Sequence, residues 1–463
     1  MNWALKPTVA GLQFRWKQWT RRATKANGEQ ELKMRLPERD IDSIEDAIAT
    51  LSNQEWRELA VPMAPVGVTS FCAEAALLQF VVTWARNYQG KAVATFSDLY
   101  NSAENFETNL QKHLGLPYVL AAWVLAGQLQ GGDGSVLKRR EAKGYGAFLD
   151  AMDNFQFHQT HETSEARANL MCIQGSKREF IRPFYERDKA KWRVRPEGDI
   201  RVVIQDVLAH LADDWTAKYL REVSDPLAHL VRELVENSDW WARANHHGVE
   251  YDKGVRAVTL RLRQIDDDNA HMFAGGNTHV HSYLLQSLTT HPRVKREEPP
   301  STHKGPLRKL GFVEVTMVDS GPGLARRWLA NRPEAKRSVD NLADIPIAEE
   351  ENALIDCFKK WRTSSGNSLR GIGLFSIATL LMKRNGFLRI RTGRLAYLFG
   401  TQSAVTDIDT QLRTRDLSTD YVKLEDGTHV FLQDGKMMFF LRPWSQRELG
   451  PVEGTAYSIL LPV

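Results

Sequence analysis

The run FVEVTMVDSGPGLA, residues 312–325, narrows the fold more than any other stretch of this chain. Val313, Val315 and Met317 alternate with Glu314, Thr316 and Val318, the period of a β-strand, and the strand ends at Asp319 because a Gly-x-Gly loop, Gly321 and Gly323, follows it. An acid beside glycines at a strand end can be a plain turn. It can also hold a carboxylate where it accepts from an amino group such as that of adenine, while the glycines let the ligand approach the backbone closely.

A second segment, SDPLAHLVRELVENSDWW, is helical by its spacing. Asp225 suits an N-cap and Pro226 the first helical position, so a helix is expected to begin there, with Leu227, Leu230, Val231 and Leu234 as its apolar stripe. Glu233 and Asn237 stand four residues apart and share a face, the spacing that suits a base and a magnesium ligand, although acids and amides on a helix usually face solvent. A third segment, SLRGIGLFSIATLLMKRNGFLRIRTG, places Gly371 and Gly373 before a helix with Leu374, Ile377 and Leu381 on one face, and Gly386 at its stop. Free N–H groups at such a helix start form an anion site, and a tight loop is the plainer alternative. Near the C-terminus, Gly454 and Thr455 open a strand with Tyr457, Ile459 and Leu461 on one face.

Composition limits the remaining classes. The chain has 463 residues, 42% hydrophobic and 25% charged, enough for two or three domains with cores of their own. A net charge of +4 does not by itself call for a nucleic-acid partner, but the first 25 residues mix Trp3, Phe14, Trp16 and Trp19 with Arg15, Lys17, Arg21, Arg22 and Lys25, a composition that can stack on bases and neutralise phosphates or simply dock on its own domain. Cys72, Cys172 and Cys357 lack metal-type spacing, and neither a secretory signal nor a transmembrane span is apparent, so reduced thiols, a cytoplasmic location and no membrane partner are expected. Residues 55–96 follow a strand, helix, strand order. They are similar to the small STAS domains of bacterial anti-anti-sigma regulators, in which a serine or threonine before a helix is phosphorylated. Thr69 and Ser70 fall near that place, and a generic α/β module is the alternative.

Each of the three segments alone is more often structural, but their order on a helix, a strand end and a loop-to-helix start resembles the GHKL ATPases: gyrase B subunits, heat-shock chaperones of the ninety-kilodalton class, histidine kinases and mismatch-repair proteins of the MutL type. The resemblance covers about residues 205–463. It implies that Asn237 coordinates the magnesium bridging the ATP phosphates, that Asp319 reads the adenine amino group, and that Gly321 and Gly323 are the hinge of the ATP lid. It further implies that Gly371 and Gly373 hold phosphates through their amides and that Thr455 lies near adenine. Arg370, with Lys359, Lys360 and Arg362, is a candidate phosphate contact in the lid. Glu233 matches the glutamate that activates water in gyrase-like members and the base in serine kinases of the anti-sigma type.

The expected fold is therefore α+β: an arm over 1–40, an N-terminal α/β module over 41–200, and over 201–463 a GHKL (Bergerat) sandwich with helices on one face of a mixed sheet, carrying insertions near 266–311 and 400–440. Asp434-Gly435 is the expected turn of the second insertion. Asp239 stands one residue short of an acid seen in several family members. His271, His279 and His281 in the first insertion offer metal-type side chains, although a polar loop is the plainer reading, as an exposed helix end is for His246 and His247. The expected function is Mg-ATP binding with hydrolysis that drives lid closure and domain rearrangement, in a homodimer or with a protein partner. The alternatives are a protein kinase, with serine favoured over histidine as acceptor, and a nucleotide-sensing binding module, whose basic arm contacts nucleic acid or protein.

Overall fold

The structure is a computed structural model that describes residues 20–24, 30–37, 40–52, 55–62, 70–96, 114–138, 143–156, 167–212, 219–297, 307–331, 339–360, 373–400, 402–413, 415 and 418–463. Thr69, Arg362, Arg370, Gly371 and most of the basic arm lie outside these residues. Among the described residues no helix is long and apolar enough to cross a membrane, and all three cysteines are free thiols.

The N-terminal unit alternates strand and helix: β1 (Thr20–Thr24), β2 (Gln30–Arg35), α1 (Ile41–Leu51), β3 (Glu58–Val61), α2 (Ala73–Asn87), β4 (Val93–Phe96), α3 (Pro117–Leu125), β5 (Gln128–Gly131) and α4 (Gly146–Asp153). Its sheet runs β1-β2-β3-β4-β5, with β1 antiparallel to β2 and the rest parallel. The strand, helix, strand order expected over 55–96 is thus present as β3, α2 and β4. Asp40 caps α1 by accepting from the Ser43 amide at 2.8 Å. Helix α2 is buried along nearly its whole length, unlike a surface helix with one apolar stripe, because layers pack on both sides of it.

The second unit comprises β6 (Arg167–Gln174), the ribbon of β7 (Tyr185–Asp188) and β8 (Lys191–Val194), α5 (Glu197–Leu211), α6 (Leu220–Trp241), β9 (Gly254–Asp266), α7 (Ala270–Ala274), α8 (Thr278–Thr290), β10 (Lys295–Glu297) and β11 (Leu307–Asp319). It continues with α9 (Leu324–Ala330), α10 (Ile347–Phe358), α11 (Gly373–Lys383), β12 (Phe387–Gly393), β13 (Leu395–Phe399), α12 (Gln402–Leu412), β14 (Tyr421–Lys423), β15 (His429–Gln433), β16 (Lys436–Pro443) and β17 (Val452–Pro462). The large sheet has the order β14-β15-β16-β13-β12-β17-β11-β9-β6, with β10 also on β11.

Four features depart from expectation. The large sheet is antiparallel at every described pairing, not mixed. It recruits β6, upstream of the boundary expected near 200, because β6 pairs with β9 over eight residues. Helices cover both of its faces: α5, α6, α9, α10 and α11 pack on one, and α2, α3, α7 and α8 on the other. Helix α6 begins at Leu220, so Pro226 lies inside it; the added turn is anchored by Val223 and Ser224, both buried, with Gln205 of α5 donating to Ser224 Oγ at 3.3 Å.

The insertions are more ordered than loops. The first supplies α7 and α8, whose Ala270, Val280, Tyr283 and Leu284 join the core shared with the N-terminal unit. Its histidines do not assemble a metal triad: His271 faces His281 with ring centroids 5.7 Å apart, while His279 points to the Trp444 carbonyl at 3.1 Å. The second begins as helix α12 and ends in the β15–β16 hairpin, turned at Asp434 and Gly435 with both φ angles positive (52° and 70°), as a two-residue Asp-Gly hairpin requires.

Candidate functional site

Three segments distant in sequence converge on one face of the large sheet. Strand parity decides which residues arrive: Val313, Val315, Met317 and then Asp319 point toward α6 and α11, while Phe312, Glu314, Thr316 and Val318 point the other way. On β17 the same parity sends Thr455, Tyr457 and Ile459 to the Asp319 face.

Asp319 is buried at the end of β11. Its Oδ1 accepts from the Gly321 amide at 2.9 Å, and its carboxylate also accepts from the Thr455 amide. Burial raises its pKa from 3.8 to about 6; the two amides, Arg256 and Arg86 only partly offset that cost. Glycine is required around it. A side chain on Gly454 (φ +73°) would run into the Asp319 carbonyl, one on Gly321 would meet Ala242 Cα at 2.6 Å, and one on Gly323 (φ +85°) would meet Thr392 Oγ1 at 2.8 Å. Thr392 Oγ1 in turn accepts from the Leu324 amide at 3.0 Å and lies 3.4 Å from Thr455 Oγ1.

At the other end, α6 presents Glu233 and Asn237 to the start of α11. A Cβ on Gly373 would lie 2.6 Å from Glu233 Oε2 and 3.6 Å from Asn237 Nδ2, so the second and third segments touch where the third must be glycine. Burial raises the Glu233 carboxyl above its ordinary value, opposed chiefly by Arg232, whose Nη1 lies 2.6 Å from Glu233 Oε1. Arg232 also pairs with Glu236 at 2.8 Å. One turn earlier, His229 links the helices: its Nε2 is 2.9 Å from Ser376 Oγ on α11, and its Nδ1 is 2.9 Å from Glu197 on α5.

Several expected residues have other roles. Asp239 is the partner of buried Arg256, with the Tyr185 hydroxyl donating to it at 3.3 Å. Lys359 pairs with Asp356 at 3.0 Å, and Lys360 donates to Gln433 at 2.6 Å beside the Phe375 ring. Ser70 is only 3% exposed, on the far side of the sheet from Glu233 and packed against Gly275, so its hydroxyl is not presented to the α6 face.

The N-terminal unit nevertheless touches the site from behind. Gln79 Nε2 on α2 donates to the carbonyls of Arg391, Glu453 and Gly454 at 3.0, 3.4 and 3.3 Å, and Thr83 Oγ1 accepts from the Glu453 amide at 3.1 Å. Arg86 donates to the Ser320 carbonyl at 2.9 Å, one residue past Asp319. No local signal could have revealed these contacts, because the partners lie more than 200 positions apart. Comparison with protein-family models, curated proteins and solved structures finds no match to this chain.

Proposed function

We propose that the chain is an ATP-binding protein of the GHKL type that hydrolyses ATP. The observation that carries the reading is the meeting of Glu233 and Asn237 with glycine at the start of α11, on the same sheet face as a buried Asp319 framed by backbone amides. Asp319 is the acceptor for the adenine amino group, and glycine at 321 and 454 lets the backbone close tightly around that residue. Hydrogen-bond readout by a buried acceptor is selective by up to about 10⁴-fold against bases lacking the donor. The N–H groups at the start of α11 receive phosphate oxygens.

The residues present suit magnesium: Asn237 offers an oxygen ligand, which that ion prefers, and the bound ion would neutralise phosphate charge. Glu233, raised by burial yet beside Arg232, is the base that takes a proton from attacking water, a role worth about 10²–10⁴ in rate. Residues 361–372, which lie between α10 and α11 in sequence, are the proposed lid. Arg370 and Gly371 within that segment are proposed phosphate contacts.

The test follows the terminal phosphate. Protein and its Glu233→Ala variant are incubated with Mg-ATP labelled there; Glu233-dependent release of free phosphate supports the ATPase. Label retained on protein supports the kinase reading in its place, and binding without either supports a nucleotide-sensing module.

A further inference from the structure

Beyond the tail of α6 lies a cluster that the nucleotide reading does not use. His246 and His247 both turn Nε2 toward one oxygen of Asp340, at 2.6 and 2.5 Å, and the ligand atoms of all three residues lie within 4.8 Å of one another. A solvated ion pair needs one imidazole on one carboxylate; here two rings, centroids 4.1 Å apart, share a single oxygen.

The backbone beneath the cluster is held from both sides by consecutive residues of α9. Arg327 Nη1 donates to the carbonyls of Asn245 and His246 at 2.6 and 3.3 Å, and Arg326 donates to those of Val339 and Asp340 at 2.8 and 2.5 Å. Both strands of chain bearing the three side chains are therefore positioned independently of the contacts among them.

We propose that His246, His247 and Asp340 form a site for a divalent transition-metal ion of the zinc class, bound by two imidazole nitrogens and one carboxylate oxygen with a fourth position open to solvent. Imidazole with carboxylate suits zinc and its neighbours, whereas magnesium and calcium prefer oxygen alone. Tetrahedral bonds of about 2.0–2.2 Å set ligand atoms about 3.3 Å apart, so the two N···O contacts must open by less than about 1 Å. His247 and Asp340 are 58% and 60% exposed, which leaves them free to rotate that far. The bound ion would tie the end of the helix carrying Glu233 and Asn237 to the chain entering α10, next to the Gly321–Gly323 loop.

Full-length protein stripped with a chelator is titrated with Co²⁺ and followed by visible absorption, then with Zn²⁺ against a chromophoric competitor, without nucleotide. The expected result is one equivalent of tetrahedral Co²⁺, displaced by Zn²⁺, with affinity at least about tenfold lower in His247→Ala and in Asp340→Asn. A His271→Ala, His281→Ala double variant, which removes the other facing pair of imidazoles, should bind like the parent. Absence of one-equivalent binding in the parent overturns the proposal, as does binding unchanged by His247→Ala and Asp340→Asn or abolished by the double variant. Melting without metal checks that each variant is folded, and both single sites are exposed enough to tolerate the change.

Discussion

The two faces of the large sheet are both buried but held by different chemistry. Toward α5, α6 and α11 the strands present Val258, Leu260, Val313, Val315, Ile390 and Ile459, an apolar surface whose polar groups gather at the strand ends around Asp319 and Thr455. Toward the N-terminal unit the same strands present Arg167, Arg261, Arg263, Glu314, Arg389 and Arg391, all buried. Glu74 of α2 lies 2.9 Å from Arg167 and 3.1 Å from Arg261; Arg261 is 2.6 Å from Glu314, which also accepts from the Cys72 amide at 2.9 Å. Glu45 of α1 pairs with Arg389 and Arg391. An apolar face tolerates many partners of suitable shape, whereas buried charges demand their counter-ions in place. The first face thus keeps its few polar groups at the rim, where the nucleotide is proposed to bind, and the second specifies how one unit seats on the other.

The largest expected effect falls on the ligand face alone. Glu233→Gln should lower phosphate release by about 10²–10⁴-fold while the melting temperature stays unchanged, since the side chain is the proposed base and no part of the core. A matching loss of stability would place Glu233 with the structural carboxylates instead.

The next effect belongs to the ionic face. Glu45→Ala leaves Arg389 and Arg391 buried without their counter-ion and should cost about 3–5 kcal/mol in denaturant unfolding. Burial raises the Glu45 carboxyl, but Arg391 and Arg389 outweigh it and hold it below its ordinary value of 4.5. Its contribution is therefore present above pH 4.5 and lost as pH falls below that, so the parent and variant stabilities should converge in acid. Parallel curves down to strong acid would remove Glu45 from that role.

Asp319 carries the opposite sign. Between 3.8 and about 6 the folded protein binds a proton that the unfolded chain has released, so this group's contribution to stability falls as pH rises through that window. The ionised acceptor appears as pH rises through about 6, so ATP affinity should increase through that value and level about one pH unit above it. Asp319→Asn should weaken ATP binding by about 10²-fold and flatten that profile, as measured by calorimetric titration across pH. A profile that keeps its step in the variant would assign it to another group.

The smallest effect tests communication between the faces. Gln79→Ala removes donors to three carbonyls behind Gly454 and should cost about 1 kcal/mol of stability. It should also weaken ATP binding about fivefold without contacting the nucleotide. Unchanged affinity would mean that the N-terminal unit supports the sheet but does not influence the site.

Much of the local structure was legible from periodicity. The strand ending at Asp319, the helix carrying Glu233 and Asn237, the helix beginning at Gly373 and the Asp434-Gly435 turn follow from spacing of two or 3.6 residues and from glycine, which act over a few positions. Pro226 misled the start of α6 because its penalty is local, while burial of Val223 and Ser224 against α5 is a tertiary gain. The metal-type side chains of the first insertion scattered into helix packing, whereas His246 and His247 met Asp340 more than 90 positions away.

By itself, then, the sequence determined which segments are strands and helices and which polar residues stand at their ends, because those choices depend on neighbours along the chain. Only the tertiary structure decided what covers each face. Alternation such as that of VTLRLRQI or FLRIRTG states that one side of a strand is charged, and a charged side is satisfied equally by water or by complementary charges on another layer. Here Glu45, Glu74 and Glu314 supply those charges, and their pairing over sequence distances of roughly 50 to 350 residues is a property of the assembled layers.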